Sequence, residues 1–400
     1  MLAAGSEESG YFSLVCGGPL YWLMRHIRLI RQDDLAVGRR VLIAWGITWL
    51  PLLILTAQQG TAFGPQVKVP LLGDYVIYGH LFVAVPIFIL AEAWIDKPLI
   101  AVVREFNLAG LVEQASRENF AAAVLEAHRL CNSIVTEALL LAGAYVTVFL
   151  NPIPTLPYFT TTWRTVMAGP AWELTAAGWW LNLVSNPVFL FLLYRWGWKF
   201  LVWTWFLWRV AHLRLHLVAT HPDRAAGLGF LGYGQLLFGP LLFAVAAVMS
   251  TAAANRLIYT EASFSKLQAP LIGFVVLIVL GCLAPLLFFV RPLAKAKVKG
   301  ILTYTALSAE YMQSFDQKWV GRNHPEEEQL LGSPDIQSLA DMGNSFEFVR
   351  RMQVVPCYIR IVLALTFATI VPLLPLLLII MPAVELMRAI LTMLSRFIGQ

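Results

Sequence analysis

Seven predominantly apolar runs constrain this chain more than anything else in it: Val41–Ala57, Tyr75–Ile95, Ile134–Leu150, Ala171–Tyr194, Phe230–Ala254, Ala269–Val290 and Cys357–Met381. Each is long enough to cross about 30 Å of hydrocarbon as a helix, which takes roughly 17–25 residues. The fifth and sixth carry no charged residue at all. Composition closes the alternative of a water-soluble fold, because 58% of the residues are hydrophobic and only 13% are charged. Ordinary domains have about 45–50% and about 25% respectively. Continuous runs instead of short alternating strands also exclude a β-barrel. The fold class is therefore an all-α polytopic bundle of about seven spanning helices, with interfacial helices and a small cytoplasmic helical subdomain.

Charge orients the spans. With residues 1–40 placed in the cytoplasm, 22 of the 29 Lys and Arg residues fall on the inner side and 6 on the outer. That asymmetry is the positive-inside pattern. A net charge of +5 then reflects inner loops facing anionic lipid, and no nucleic-acid partner is expected. Residues 41–290 form the transmembrane core, 291–356 a cytoplasmic helical subdomain, and 357–400 the last span followed by an outer interfacial helix after Pro382. Within the subdomain, Ser333-Pro334-Asp335 has the residue types that open a helix: a hydroxyl cap, a proline in the first turn and an acid at the positive end.

The stretch 195–217 is long enough to span, yet a crossing there would invert everything after it. On a helical wheel Arg195, Lys199, Arg209, His212 and His216 fall within about 140°, beside a run of tryptophans from Trp179 to Trp208. A basic stripe flanked by tryptophan predicts a helix lying in the membrane plane.

The stretches WLPLLIL (Trp49–Leu55), HPDRAAGLGFL (His221–Leu231), FDQKWV (Phe315–Val320) and LLGSPDIQSLADMGNSFEFVRRMQVVP (Leu330–Pro356) resemble an uncharacterised family of multi-pass bacterial inner-membrane proteins. The resemblance implies origin and topology. It implies no activity and no functional residue.

Ionisable and polar residues inside spans cost several kcal/mol unless partnered, so each is a site hypothesis. Glu92 and Glu137 lie near the inner ends of the second and third spans, within reach of Arg195 or Lys199 in the fourth. Asn182, Ser185 and Asn186 precede Pro187 at mid-depth in that span. Together Glu92, Glu137, Asn182, Ser185 and Asn186 either line a polar pathway or divide into headgroup-level glutamates and asparagines bonded to a neighbouring helix. Arg195, Lys199, Arg209, His212, His216, His221, Asp223 and Arg224 form a basic cytoplasmic rim or lipid contact. There the His221-Pro222-Asp223-Arg224 turn is either a binding or gating element, with Asp223 paired to Arg224, or a plain proline turn. Ala246, Ser250 and Ala254 make a small-residue ridge for close helix packing, within the chain or between protomers.

His212 and His216 have a spacing that can serve one metal, but no HExxH is present, and neither metal nor cofactor is expected. No GxxxxGK[ST], GxSxG or strand-borne GxGxxG occurs, which argues against an enzyme. The four cysteines are scattered and build no disulfide or zinc framework. These features lead to a channel or secondary transporter for a small, anionic solute, as a homo-oligomer. The alternative is a scaffold or regulatory subunit that docks a protein partner through 291–356 and holds anionic lipid.

Overall fold

The computed structural model describes residues 11–15, 17–26, 29, 36–150, 161–168, 171–260, 263–321, 330 and 332–380. Ten helices and one β-hairpin follow in chain order: α1 (Pro19–His26), α2 (Val37–Gln58), α3 (Tyr75–Leu108), α4 (Arg117–Cys131), α5 (Ile134–Leu150), β1 (Thr165–Ala168), β2 (Ala171–Leu174), α6 (Ala176–Ala211), α7 (Phe230–Tyr259), α8 (Phe264–Val320), α9 (Pro334–Arg351) and α10 (Ile359–Ile379). The fold is an all-α bundle. Helices α2, α3, α6, α7, α8 and α10 are long and apolar enough to cross a membrane, and the α4–α5 region, bent by 44°, counts as a seventh crossing if the bent pair is one span. At the bend the Ser133 hydroxyl accepts the Thr136 N–H (3.2 Å) and caps α5. The expected outer interfacial helix after Pro382 lies outside the described residues.

Helices α3, α6 and α7 form the centre. About half of their apolar windows is buried (56%, 44% and 50%), against 22%, 28% and 28% for α2, α8 and α10. The outer helices turn residues such as Leu42, Ile47, Ile54, Leu277, Leu280 and Phe367 outward, as lipid-facing surfaces should. The ridge of Ala246, Ser250 and Ala254 is buried within the chain, on the helix that packs against the first part of α3.

Both α3 and α6 widen into one π-helical turn, Tyr78–Ala84 and Leu181–Ser185, just before Pro86 and Pro187. Proline has no N–H to give and its ring crowds the carbonyl four residues back. The chain answers by shifting register: Val85 N–H reaches His80 O, and Asn186 N–H reaches Leu181 O, each five residues back. Such turns place extra, weakly bonded carbonyls inside a helix and recur at functional sites.

Two expectations are corrected. The fourth span was expected to open at Ala171, but Ala171–Leu174 is a strand paired antiparallel with Thr165–Ala168. The helix starts at Ala176, where Thr175 Oγ1 accepts Gly178 N–H (3.0 Å). The separate in-plane helix 195–217 is absent: α6 continues through Arg195 to Ala211 without a break. His212–Leu217 then leave as non-helical chain, with Leu215 bridged to Val112 and His216 N–H donating to Leu111 O (2.7 Å). The reason is packing. Trp196, Val202, Trp203, Phe206, Leu207 and Val210 are buried, and Phe206 meets the rings of Phe12, Phe106, Phe120 and Trp203.

The sixth span and its amphipathic continuation are one long helix, α8, against which α9 packs. Ser333 caps α9 through Asp335 N–H (3.1 Å), with Pro334 in the first turn. Truncating Phe206 to alanine should cost about 3–5 kcal/mol, read as a lower unfolding midpoint in detergent. A near-neutral effect would place that ring against lipid.

Candidate functional site

Charged side chains from four helices converge where α2 begins. Glu92 of α3 is buried and accepts Arg40 of α2 on one oxygen (2.5 Å) and Arg195 of α6 on the other. Lys199, one turn further along α6, lies 3.8 Å from Glu92 and 4.7 Å from the Trp196 ring centroid. Arg195 Nε also donates to Glu137 Oε1 of α5 (3.2 Å), and Glu137 Oε2 accepts the Leu20 N–H (2.8 Å). Three cations therefore gather around Glu92 and Glu137, with Asp96 one turn further along α3 also acting on Lys199. Two donors in the cluster, Lys199 Nζ and Arg40 Nη1, are buried and make no hydrogen bond. The reach of Glu92 and Glu137 to Arg195 was legible in the sequence. Arg40 was seen only as one of the inner basic residues.

A segment that sequence reasoning missed closes one side of this cluster. Phe12, Leu14 and Val15 are buried, with the Ser13 hydroxyl and Val15 N–H both donating to Asp96 Oδ1 (2.6 and 3.2 Å), one turn beyond Glu92 on α3. Tyr11 lies under the Arg104 guanidinium (4.1 Å to the ring centroid). Gly18 is required: its φ is +86°, and a Cβ there would sit 2.8 Å from Glu137 Oε1. The chain thus rises along α3 and lays its backbone on the carboxylate of α5. No span-like pattern marks such a segment.

The mid-depth set is placed but not gathered around one space. Ser185 donates to Thr48 O (2.6 Å) and Asn186 Nδ2 to Asn182 Oδ1 (3.4 Å). Nearby, His80 in the other π turn stacks on Phe189 (4.1 Å); an imidazole inside an apolar run was a readable signal that the span analysis passed over. A cavity of about 320 Å³ lies between α3, α6, α7 and α8, with apolar walls that include Phe88, Trp196 and Phe238 and none of these polar residues.

The basic rim divides. Arg195 and Lys199 are buried, whereas Arg209, His212, His216, His221 and Arg224 are exposed. Arg209 stands 3.8 Å from Glu126. His212 and His216 have left the helix, so their spacing no longer puts them on one face. Among the described residues no group of three or more His, Cys, Asp or Glu could hold a metal ion. Asp223 serves the loop backbone instead of pairing with Arg224. Its oxygens accept Ala225 N–H (2.8 Å), Gly227 N–H (3.1 Å) and Gly229 N–H (2.8 Å), and His221 lies 2.8 Å away. This lets Arg224, Ala226 and Gly227 take positive φ. Tyr358 Oη donates to Asp223 O and Gln353 N–H to Arg224 O (both 2.6 Å), fixing the turn to the α9–α10 linker.

A second buried cluster, also missed, sits where α3 begins. Asp74 pairs with Arg164 and accepts Trp163 Nε1–H (2.9 Å) and Asn255 Nδ2–H (2.8 Å). Partners 89 to 181 residues apart in sequence leave no local pattern. At 1.5 Å per residue, Asp74 and Glu92 lie about 27 Å apart along α3, close to the hydrocarbon thickness.

Helices of this length and apolarity define a multi-pass membrane protein of the helical-bundle class. No protein-family model, curated protein or solved structure matches the chain.

Removing Glu92 should leave three buried cations poorly compensated. Glu92→Gln is expected to cost about 3–5 kcal/mol, and the double variant with Arg195→Met should cost less than the sum of the singles by at least about 1 kcal/mol. Additive losses in a denaturation series would deny the contact. For Asp223, burial pushes the carboxyl up, but the three loop amides and His221 more than offset this and hold it below its usual value of 3.8. A lowered folded value stabilises above the unfolded value and is lost as pH falls through the folded one. The gap in melting temperature between wild type and Asp223→Asn should therefore hold from about pH 7 to 5 and close below about pH 4.

Proposed function

We propose that this chain is a bacterial inner-membrane channel or secondary transporter for a small anionic solute, with its N-terminus in the cytoplasm and a homo-oligomeric assembly. The observation that carries the reading is the Lys199 ammonium. It is buried beside Glu92 and Arg195, and it donates no hydrogen bond. A small anion would satisfy that donor. Exposed Arg209, His212, His216, His221 and Arg224 would draw anions toward that end. The π turns of α3 and α6 would supply polar backbone at mid-depth.

Reconstituted protein should accelerate equilibration of chloride, nitrate or phosphate across liposomes at least tenfold over protein-free vesicles. Lys199→Met should remove most of that gain while eluting as the wild type does. If none of the three anions moves faster, or if Lys199→Met transports normally, the proposal fails.

A second reading has one observation in its favour. The α8–α9 hairpin leaves the bundle with Val298, Leu302, Met312 and Val320 exposed, a surface suited to a cytoplasmic protein partner and thus to a scaffold or regulatory role. A stoichiometric partner that copurifies with the intact chain and is lost on deleting 318–352 would select it.

A further inference from the structure

Between α2, α5 and α6 runs a groove of about 350 Å³ whose walls are apolar along its length, including Ile43, Leu141, Leu183, Val184 and Val188. From Leu192 to Leu183 it follows α6 for about 14 Å. Leu20, Met24 and Leu29 wall it from the α1 side. One charged residue lines it, Arg40. Arg40 sits in the first turn of α2, at the Glu92 end of the bundle. Its Nη2 is committed to Glu92, while its Nη1, though buried, makes no hydrogen bond.

We propose that this groove holds one acyl chain of an anionic phospholipid, with a phosphate oxygen accepting from Arg40 Nη1. The shape and the charge each select part of the occupant. Apolar walls this long give nothing to a free anion, and a purely apolar chain leaves the guanidinium donor unmet, at a cost larger in a low-dielectric setting than in water. A phosphodiester on a hydrocarbon tail answers both, through a charge-assisted bond at the level where headgroups lie. Helix α1 has the character of an interfacial lid over the site: Trp22 and Leu23 are more than half exposed, and Arg25 stands 5.5 Å from the Trp22 ring centroid. Such residues anchor helices at the membrane surface. The site is distinct from the tryptophan-rich belt where the sequence placed lipid, and it does not depend on transport. A lipid there would brace α2 against α5 and α6 from outside, on the same Arg40 that Glu92 holds from inside.

The test uses the full chain in detergent with palmitoyl-oleoyl phosphatidylglycerol or palmitoyl-oleoyl phosphatidylcholine added at equal concentration, and counts retained lipid by native mass spectrometry. Wild type should retain one phosphatidylglycerol with at least tenfold preference, and millimolar inorganic phosphate should not displace it. Val184→Trp, which fills the groove and leaves the charges alone, should lower retention at least tenfold. Arg40→Gln should bring the preference to within twofold. Equal retention of the two lipids by wild type overturns the proposal even if both variants misfold. Undiminished retention by a folded Val184→Trp would mean annular lipid only, and displacement by phosphate would mean a free-anion site.

Discussion

The bundle depends on one carboxylate. Glu92 receives Arg40 from α2 and Arg195 and Lys199 from α6, and Arg195 passes the connection to Glu137 on α5 and so to the backbone at Leu20. Four helices and the N-terminal segment are thereby held in one register by side chains that have no low-cost alternative. A buried ion pair adds little net stability over apolar packing, but breaking one leaves an unpaired charge and is expensive. That asymmetry makes the cluster a specificity device. It says which helices are neighbours, which apolar surfaces sliding in lipid cannot do, because lipid tails are as apolar as leucine.

The same reasoning explains what could be read in advance. Six of the seven expected spans, and a seventh if the bent α4–α5 pair is one crossing, were legible because hydrocarbon thickness sets a minimum run length, and the observed helices contain most of each run. The meeting of Glu92 and Glu137 with Arg195 was legible because an ionisable residue inside a span demands a partner and few were on offer. The in-plane helix was misjudged for a physical reason. A helical wheel gives the angle of Arg195 and Lys199 about the axis but not what faces them, and here buried carboxylates stand where headgroups were supposed. The tryptophans told the same partial truth: Trp203 is fully buried and Trp196 nearly so, while Trp179 and Trp208 are exposed. The run Phe12–Val15, the hairpin ahead of α6 and the Asp74 cluster rest on contacts distant in sequence. Asp223 and Asp74 were single acids in loops or at helix ends, and only the fold reveals how many donors each gathers.

The Asp74 cluster sits where α3 begins and the Glu92 cluster about one hydrocarbon thickness along it, and between those levels lie the π turns before Pro86 and Pro187. The first half of α3 is thus fixed by charge at both limits while the stretch between them carries the looser hydrogen bonding. A stretch fixed at both limits and more loosely bonded between them can bend without losing its place.

The central claim is that α6 from Arg195 onward turns Arg195, Lys199, Trp203 and Phe206 inward. A single-cysteine scan of positions 195–211, each spin-labelled in lipid nanodiscs and measured for collision with oxygen and with a water-soluble nickel chelate, tests it most directly. The account predicts helical periodicity, with both accessibilities lowest at 195, 199, 203, 206 and 210 and highest near 197, 201 and 208. High accessibility to the nickel chelate at 195 and 199, at headgroup depth, would contradict it.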